Sequence, residues 1–97
     1  MAGLNLLLTY DADVDAAYLY LRDGLLAPVE TTVPVSRAGL WTGINLDFDD
    51  AGRLVGIEVL DAKQQLPATL LEQAIPPGEL AAAVQEVLDR MGEDGAV

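Results

Sequence analysis

Two short segments near the N-terminus carry the pattern of β-strands. The run 6–10 is mostly apolar and is followed by an aspartate, which is typical of a short buried strand. Aspartate side chains bend the chain through hydrogen bonds to their own backbone, so the Asp-rich stretch 11–15 predicts a turn. Residues 16–21 then alternate, with Tyr18 and Tyr20 on one face and aliphatic side chains on the other. The pattern predicts a strand, a turn and a second strand.

A third strand is expected after a turn at 22–24. Residues 29–35 alternate valine with threonine, glutamate and proline, a composition that favours a strand. Pro34 has no N–H group to donate to a ladder, so this strand lies at a sheet edge or ends near the proline. The stretch 36–43, which contains two glycines and the only tryptophan, is predicted to be a loop.

The clearest hairpin spans residues 44–60. One face of both arms is apolar and carries Ile44, Leu46, Phe48, Val55, Ile57 and Val59. An even-numbered loop keeps these residues together, and four residues, 49–52, with Asp first and Gly last suit a type I turn. The second face is mixed and carries Asn45, Asp47, Leu54, Gly56, Glu58 and Leu60. We therefore expect that face to be partly covered, by a helix or by another subunit.

Helical signals begin after Lys63. Pro67 suits a first helical turn, and Pro76-Pro77 ends this short helix, which spans 67–74. A longer helix is predicted over 79–91, because its apolar residues recur with a period of 3.6. The period of the apolar residues therefore changes from 2 to 3.6 near residue 63.

The expected fold is α+β. We predict a small antiparallel sheet of four to five strands, built from hairpins or a meander, followed by one or two C-terminal helices. We expect all 97 residues to form a single domain, with the sheet over 6–62, the helical part over 66–92 and a frayed tail over 93–97.

Composition excludes several kinds of chemistry. The chain has no histidine and no cysteine, so disulfides, Cys/His zinc sites, thiol nucleophiles and Ser-His-Asp triads are impossible. Five Lys and Arg against 16 Asp and Glu give a net charge of -11, which argues against nucleic acid and against anionic membranes as partners. No signal peptide or membrane span is apparent, so the default compartment is the cytoplasm. A basic protein partner is electrostatically favourable.

Carboxylates provide the only candidates for a metal site. Asp11, Asp13 and Asp15 resemble the start of a calcium loop, but Ala16 and Arg22 stand where glycine and glutamate are needed. Asp47, Asp49 and Glu58 match calcium-loop positions more closely. Strands rather than helices flank them, however, and a hairpin turn needs the same residues. We expect no metal, no cofactor and no catalytic residue, so the chain is predicted not to be an enzyme. The alternative that these residues leave open is a divalent-cation binder or small enzyme that uses the carboxylates of Asp47, Asp49 and Glu58.

Several apolar and aromatic residues lie outside the apolar face of the hairpin, and they indicate self-association. Tyr18 and Tyr20 form an aromatic stripe on one face of the second predicted strand. Such a stripe usually packs against a helix or another subunit, because tyrosine can bury its ring while its hydroxyl stays in contact with water. We expect a homo-oligomer, most simply a two-fold dimer, with the interface candidates Tyr18, Tyr20, Leu54 and Leu60. The rival is a monomer in which the helix 67–74 covers the second face of the hairpin.

Three stretches together carry a family resemblance. They are residues 10–21, residues 44–62, and Leu66-Pro67, and the most specific part is Gly52–Glu58, which reads GRLVGIE. Over roughly residues 6–75 the chain resembles the DUF2283 family of small prokaryotic proteins of unknown function. The resemblance implies a compact antiparallel sheet followed by helix, and it implies no activity, cofactor or catalytic residue. Members are sometimes thought to sit beside small basic toxin-like proteins, which hints at an antitoxin-like neutraliser of a basic partner.

Overall fold

A computed structural model describes residues 6–21 and 28–80, together with 82, 85, 86 and 89. Its strands are β1 (Leu7–Asp11), β2 (Ala16–Tyr20), β3 (Thr31–Arg37), β4 (Leu40–Phe48) and β5 (Leu54–Leu60). Its helices are α1 (Ala62–Gln65) and α2 (Ala68–Glu72). Residues 77–80 are also helical, as are 82, 85, 86 and 89. The α+β fold expected from the sequence is confirmed.

The five strands form one antiparallel sheet in the order β1-β2-β5-β4-β3. The N-terminal hairpin, β1 and β2, is joined to the meander of β3, β4 and β5 by pairing between β2 and β5. The third strand lies at an edge, as Pro34 predicted. At the opposite edge, Ile75 bonds to the outer side of β1, where Tyr10 N–H donates to the Ile75 carbonyl over 2.9 Å and Ile75 N–H donates to the Leu8 carbonyl over 3.0 Å.

The helical segments cover one face of the sheet, which we call the core face. Ala17, Val59 and Ala62 form its buried centre. Partly buried side chains pack around them: Leu8, Tyr10, Ile44, Ile57, Leu66 and Leu71. Leu66 and Leu71 lie just before α2 and within it, so this segment covers the core face. The alternative in which the helix 67–74 covers the second face of the hairpin is therefore wrong.

The stretch 36–43 is a hairpin rather than the predicted loop. Arg37 pairs with Leu40, and the two residues between them, Ala38 and Gly39, have φ values of 52° and 80°. Positive φ at both central positions is the geometry of a type I′ turn, whose twist matches that of the flanking strands. Alanine rarely adopts this conformation, so Ala38-Gly39 is not one of the residue pairs that typically indicate such a turn.

The turn between β4 and β5 differs from the prediction by one residue. Gly52 N–H donates to the Asp49 carbonyl over 3.1 Å and Asp49 N–H donates to the Arg53 carbonyl over 2.9 Å, so three residues form the loop. Gly52 has a φ of 78°, as in a type I turn followed by a bulge. The strand register shifts by one residue between Asp47 and Phe48, which compensates for the odd number of loop residues, and Phe48 pairs with Leu54. The predicted turn residues are right, and the even loop length is wrong.

The first helical turn begins at Ala62, earlier than the predicted start at 66, because Asp15 binds its free N–H groups. Ala62 N–H donates to the Asp15 carbonyl over 3.1 Å, and Lys63 N–H donates to Asp15 Oδ1 over 3.0 Å. Tyr10 Oη donates to the same carboxylate oxygen over 2.8 Å. One aspartate therefore connects the first hairpin to α1.

Some predicted elements lie outside the described residues. They are the turn at 22–24, the tail at 93–97 and the apolar positions of the helix over 79–91 beyond Leu80. Within the described part of the chain, no helix is both long and apolar enough to cross a membrane.

We expect Asp15→Ala to lower the free energy of unfolding by about 1–2 kcal/mol, because Lys63 N–H and Tyr10 Oη lose their acceptor and because Asp15 has a φ of 53°, which alanine adopts less readily. Asp13→Ala is the matched control, since it removes the same charge from an exposed position in the same turn. Urea unfolding of both variants measures the difference. Equal stability of the two variants would show that the Asp15 carboxylate adds nothing.

Candidate functional site

The second face of the sheet carries a row of polar and aromatic side chains across four strands. We call it the tyrosine face. Strand pairing sets Tyr18 opposite Glu58, Glu58 opposite Asn45, and Asp47 opposite both Gly56 and Thr32. The face consists of Tyr18, Tyr20, Thr32, Asn45, Asp47, Gly56, Glu58 and Leu60. Asp47 and Glu58 therefore share one face, as the alternation in the hairpin predicted.

Tyr18 and Asp47 make the contact that organises this face. The Tyr18 ring passes over β5 at Gly56, and its hydroxyl donates to Asp47 Oδ2 on β4. Thr32 Oγ1 on β3 donates to Asp47 Oδ1 over 2.6 Å. Asp47 is only 8% exposed, and both of its carboxylate oxygens have a donor. Side chains from three strands thus share one buried carboxylate.

Gly56 is the residue that makes room for this contact. A Cβ built there would lie 2.5 Å from Tyr18 Cζ and 2.6 Å from Tyr18 Cε1, closer than carbon atoms can approach. Glycine within a strand often marks a close approach of this kind. The sequence placed Gly56 on this face, but it gave no indication that a ring crosses the backbone there.

The electrostatics of the face keep its tyrosines protonated. Partial burial, and then the hydrogen bond to Asp47, raise the pKa of Tyr18 far above its usual value. Burial also raises the pKa of Tyr20, whose ring centroid lies 4.5 Å from that of Tyr18. Neither phenol is a base at neutral pH.

Glu58 lies beside this group and has its own partner. Asn45 Nδ2 donates to Glu58 Oε1 over 2.9 Å. Within the described residues the single ion pair joins Arg53 to Asp49, so no ion pair neutralises the carboxylates of Asp47 or Glu58. The tyrosine face is therefore acidic.

Asp49 does not belong to the face. Its carboxylate accepts hydrogen bonds from the N–H groups of Ala51 over 3.0 Å and Arg53 over 2.9 Å, and from Arg53 Nε over 2.9 Å. The bond from the Arg53 backbone is the main cause that holds the pKa of Asp49 below its usual value. Asp49 stabilises the turn between β4 and β5.

The metal candidates are thus kept apart by their hydrogen bonds. Asp47 binds two hydroxyls, Glu58 binds an amide, and Asp49 binds its own turn. Asp11 Oδ1 accepts from Asp13 N–H over 3.0 Å, as in an ordinary aspartate turn. Among the residues that the structure describes, no three acidic side chains are grouped so that they could hold a metal ion.

The interface candidates are only partly brought together. Tyr18, Tyr20 and Leu60 lie on the tyrosine face, where Leu60 pairs with Ala16. Leu54 pairs with Phe48 beyond the register shift, so the alternation that grouped it with the tyrosines is interrupted. Leu54 is nevertheless 37% exposed. Thr32 was the member of the face that sequence reasoning missed, because its partner Asp47 lies on the next strand.

A family model described as "Protein of unknown function (DUF2283)" matches residues 7–63, more than half of the chain. The chain belongs to the DUF2283 family. The matched segment contains all five strands, and with them every residue of the tyrosine face. The helix α2 lies beyond the part that defines DUF2283 here. No curated protein and no solved structure gave a significant match.

We expect Gly56→Ala to lower the free energy of unfolding by about 1–3 kcal/mol, because the displaced Tyr18 ring leaves the buried Asp47 carboxylate without one of its two donors. Gly78→Ala is the control, since it adds the same methyl group in a helical stretch with no neighbouring atom within 4 Å. Its stability should stay equal or rise by up to about 1 kcal/mol. Thermal and urea unfolding compare the two, and a fully stable Gly56→Ala variant would contradict the close contact.

The raised pKa values of Tyr10, Tyr18 and Tyr20 predict loss of stability in alkali. Unfolded tyrosines release their protons near pH 10, whereas the folded ones retain theirs, so the unfolded state binds fewer protons above that pH. Stability should therefore fall as the pH rises above about 10. Absorbance of the phenolate, followed against pH with and without urea, measures the difference. Tyr18→Phe should reduce the alkaline loss, and ordinary titration of all three tyrosines in the folded chain would contradict the structure.

Proposed function

We propose that this member of the DUF2283 family is a non-catalytic module that associates with itself. The observation that carries the proposal is the exposure of large apolar side chains on ordered strands. Leu40 is 73% exposed and Trp41 is 59% exposed, and both belong to β4. Contiguous exposed apolar surface is a common mark of a contact with another protein, and these two residues are adjacent.

The chemistry of the tyrosine face supports a role without catalysis. A general base needs a free acceptor near its working pH, but the hydroxyls of Tyr18 and Thr32 occupy both oxygens of Asp47. The raised pKa of Tyr18 leaves this phenol protonated. The chain has no histidine or cysteine that could act in their place.

A second candidate function is capture of a basic protein. The tyrosine face offers two rings 4.5 Å apart next to the carboxylates of Asp47 and Glu58, and the whole chain carries a net charge of -11. Arginine side chains stack on tyrosine rings and bind carboxylates, so a basic partner matches this face in both respects. This role would make the protein a neutraliser, as an antitoxin is.

Salt separates the two functions. We expect static light scattering of the purified chain to show a mass near twice 10.3 kDa at micromolar concentration. The dimer should strengthen as salt rises, because salt screens the repulsion between two acidic subunits. Capture of a basic protein should instead weaken with salt. A mass of 10.3 kDa at every concentration and salt level would contradict self-association.

A further inference from the structure

The end of the hairpin between β3 and β4 is an apolar projection, which we call the arm and define as residues 37–41. Its turn is formed by Ala38 and Gly39, and Leu40 and Trp41 follow directly. These two are the most exposed large apolar residues of β4. Tryptophan is enriched at the centres of protein interfaces.

The base of the arm is held by side-chain hydrogen bonds. Thr42 Oγ1 donates to the Val35 carbonyl over 2.8 Å and accepts from Ile44 N–H over 3.2 Å, where a bulge interrupts the ladder. Gln65 Nε2 on α1 donates to the Thr42 carbonyl over 2.8 Å. An arm that is already ordered loses little conformational entropy when it binds.

The charge of the arm differs from that of the rest of the chain. Residues 31–46 contain no Asp or Glu, although the chain has 16, and their one charged residue is Arg37 at the base of the turn. The arm is therefore a weakly basic element on an acidic protein. The arm therefore sets no like charge against the acidic body of a second copy, although the two copies as wholes still repel each other through their net charges of -11.

The body offers a groove of matching chemistry on the core face. Its volume is about 410 Å³, and its lining is wholly aliphatic: Leu6, Leu8, Leu19, Ile57, Val59, Leu66 and Leu70. Leu70 is 40% exposed, so the groove is accessible at its rim. Pockets of about 300–1,000 Å³ bury drug-sized groups, and a leucine side chain is smaller than a drug-sized group, so the groove has room for it.

We infer that the arm of one copy docks in the groove of a second copy, with Leu40 inserted between its aliphatic side chains and Trp41, on the other side of the strand, packed against the rim of the groove. This rests on the proposed self-association and names the surfaces that carry it. A two-fold arrangement lets each copy insert its arm into the other, so the two contacts are identical and the assembly closes. A dimer formed by two tyrosine faces is less favourable, because it would bring the carboxylates of Asp47 and Glu58 close to the same two carboxylates of the second copy.

The chain's one tryptophan makes the docking directly visible. Emission of Trp41 in the full chain should shift to the blue as concentration rises, in parallel with the mass from light scattering. The test variants are Leu40→Glu on the arm and Leu70→Glu at the groove. The control is Val14→Glu, which adds the same charge at a 67% exposed valine in the first turn.

We expect Leu40→Glu and Leu70→Glu each to weaken the dimer at least about tenfold, and Val14→Glu to leave it unchanged. Circular dichroism confirms that each variant is folded, which is expected because all three positions are exposed. A monomeric wild-type chain would overturn both the docking and the self-association. A dimer that neither test variant weakens, or that the control weakens equally, would overturn the docking alone. Loss with Leu40→Glu but not with Leu70→Glu would place the arm outside this groove.

Discussion

The hydrogen bond from Tyr18 to Asp47 is the interaction on which the architecture depends. It joins residues 29 positions apart in sequence and spans β2, β5 and β4, with Thr32 on β3 bound to the same carboxylate. Side chains alternate between the two faces of a strand. A slip of one residue in any of these strand pairings would therefore move Tyr18, Thr32 or Asp47 to the opposite face of the sheet. The contact therefore fixes the register between the first hairpin and the meander.

The same contact gives this face its chemical character. A carboxylate that is buried without a donor is costly, and two hydroxyls provide the donors here. The phenols of Tyr18 and Tyr20 remain protonated and uncharged. The carboxylates of Asp47 and Glu58 give the surface its negative charge. The result is an acidic surface with an aromatic centre, on the side of the sheet opposite α1 and α2.

Local signals in the sequence predicted the α+β fold, the edge position of β3 and the turn residues Asp49 and Gly52. These features depend on neighbouring residues, namely proline without a donor, aspartate at a turn and alternating apolar residues. The turn at Ala38-Gly39 was missed because it needs positive φ at an alanine, against the intrinsic preference of that residue. The ring over Gly56 was beyond sequence reasoning, because its partners meet only after three separate strands have paired.

The two edge strands of the sheet, β1 and β3, are both protected against pairing with a further strand. Strand edges expose unpaired N–H and carbonyl groups, which can template further strands and lead to fibres. Here the chain segment at Ile75 occupies part of the outer side of β1, while β3 carries a proline and a bulge. Both features interrupt the regular ladder that an added strand would need. Growth by strand addition is therefore hindered at both edges of the sheet, so apolar side chains such as Leu40 and Trp41 are exposed next to edges that resist polymerisation through the backbone.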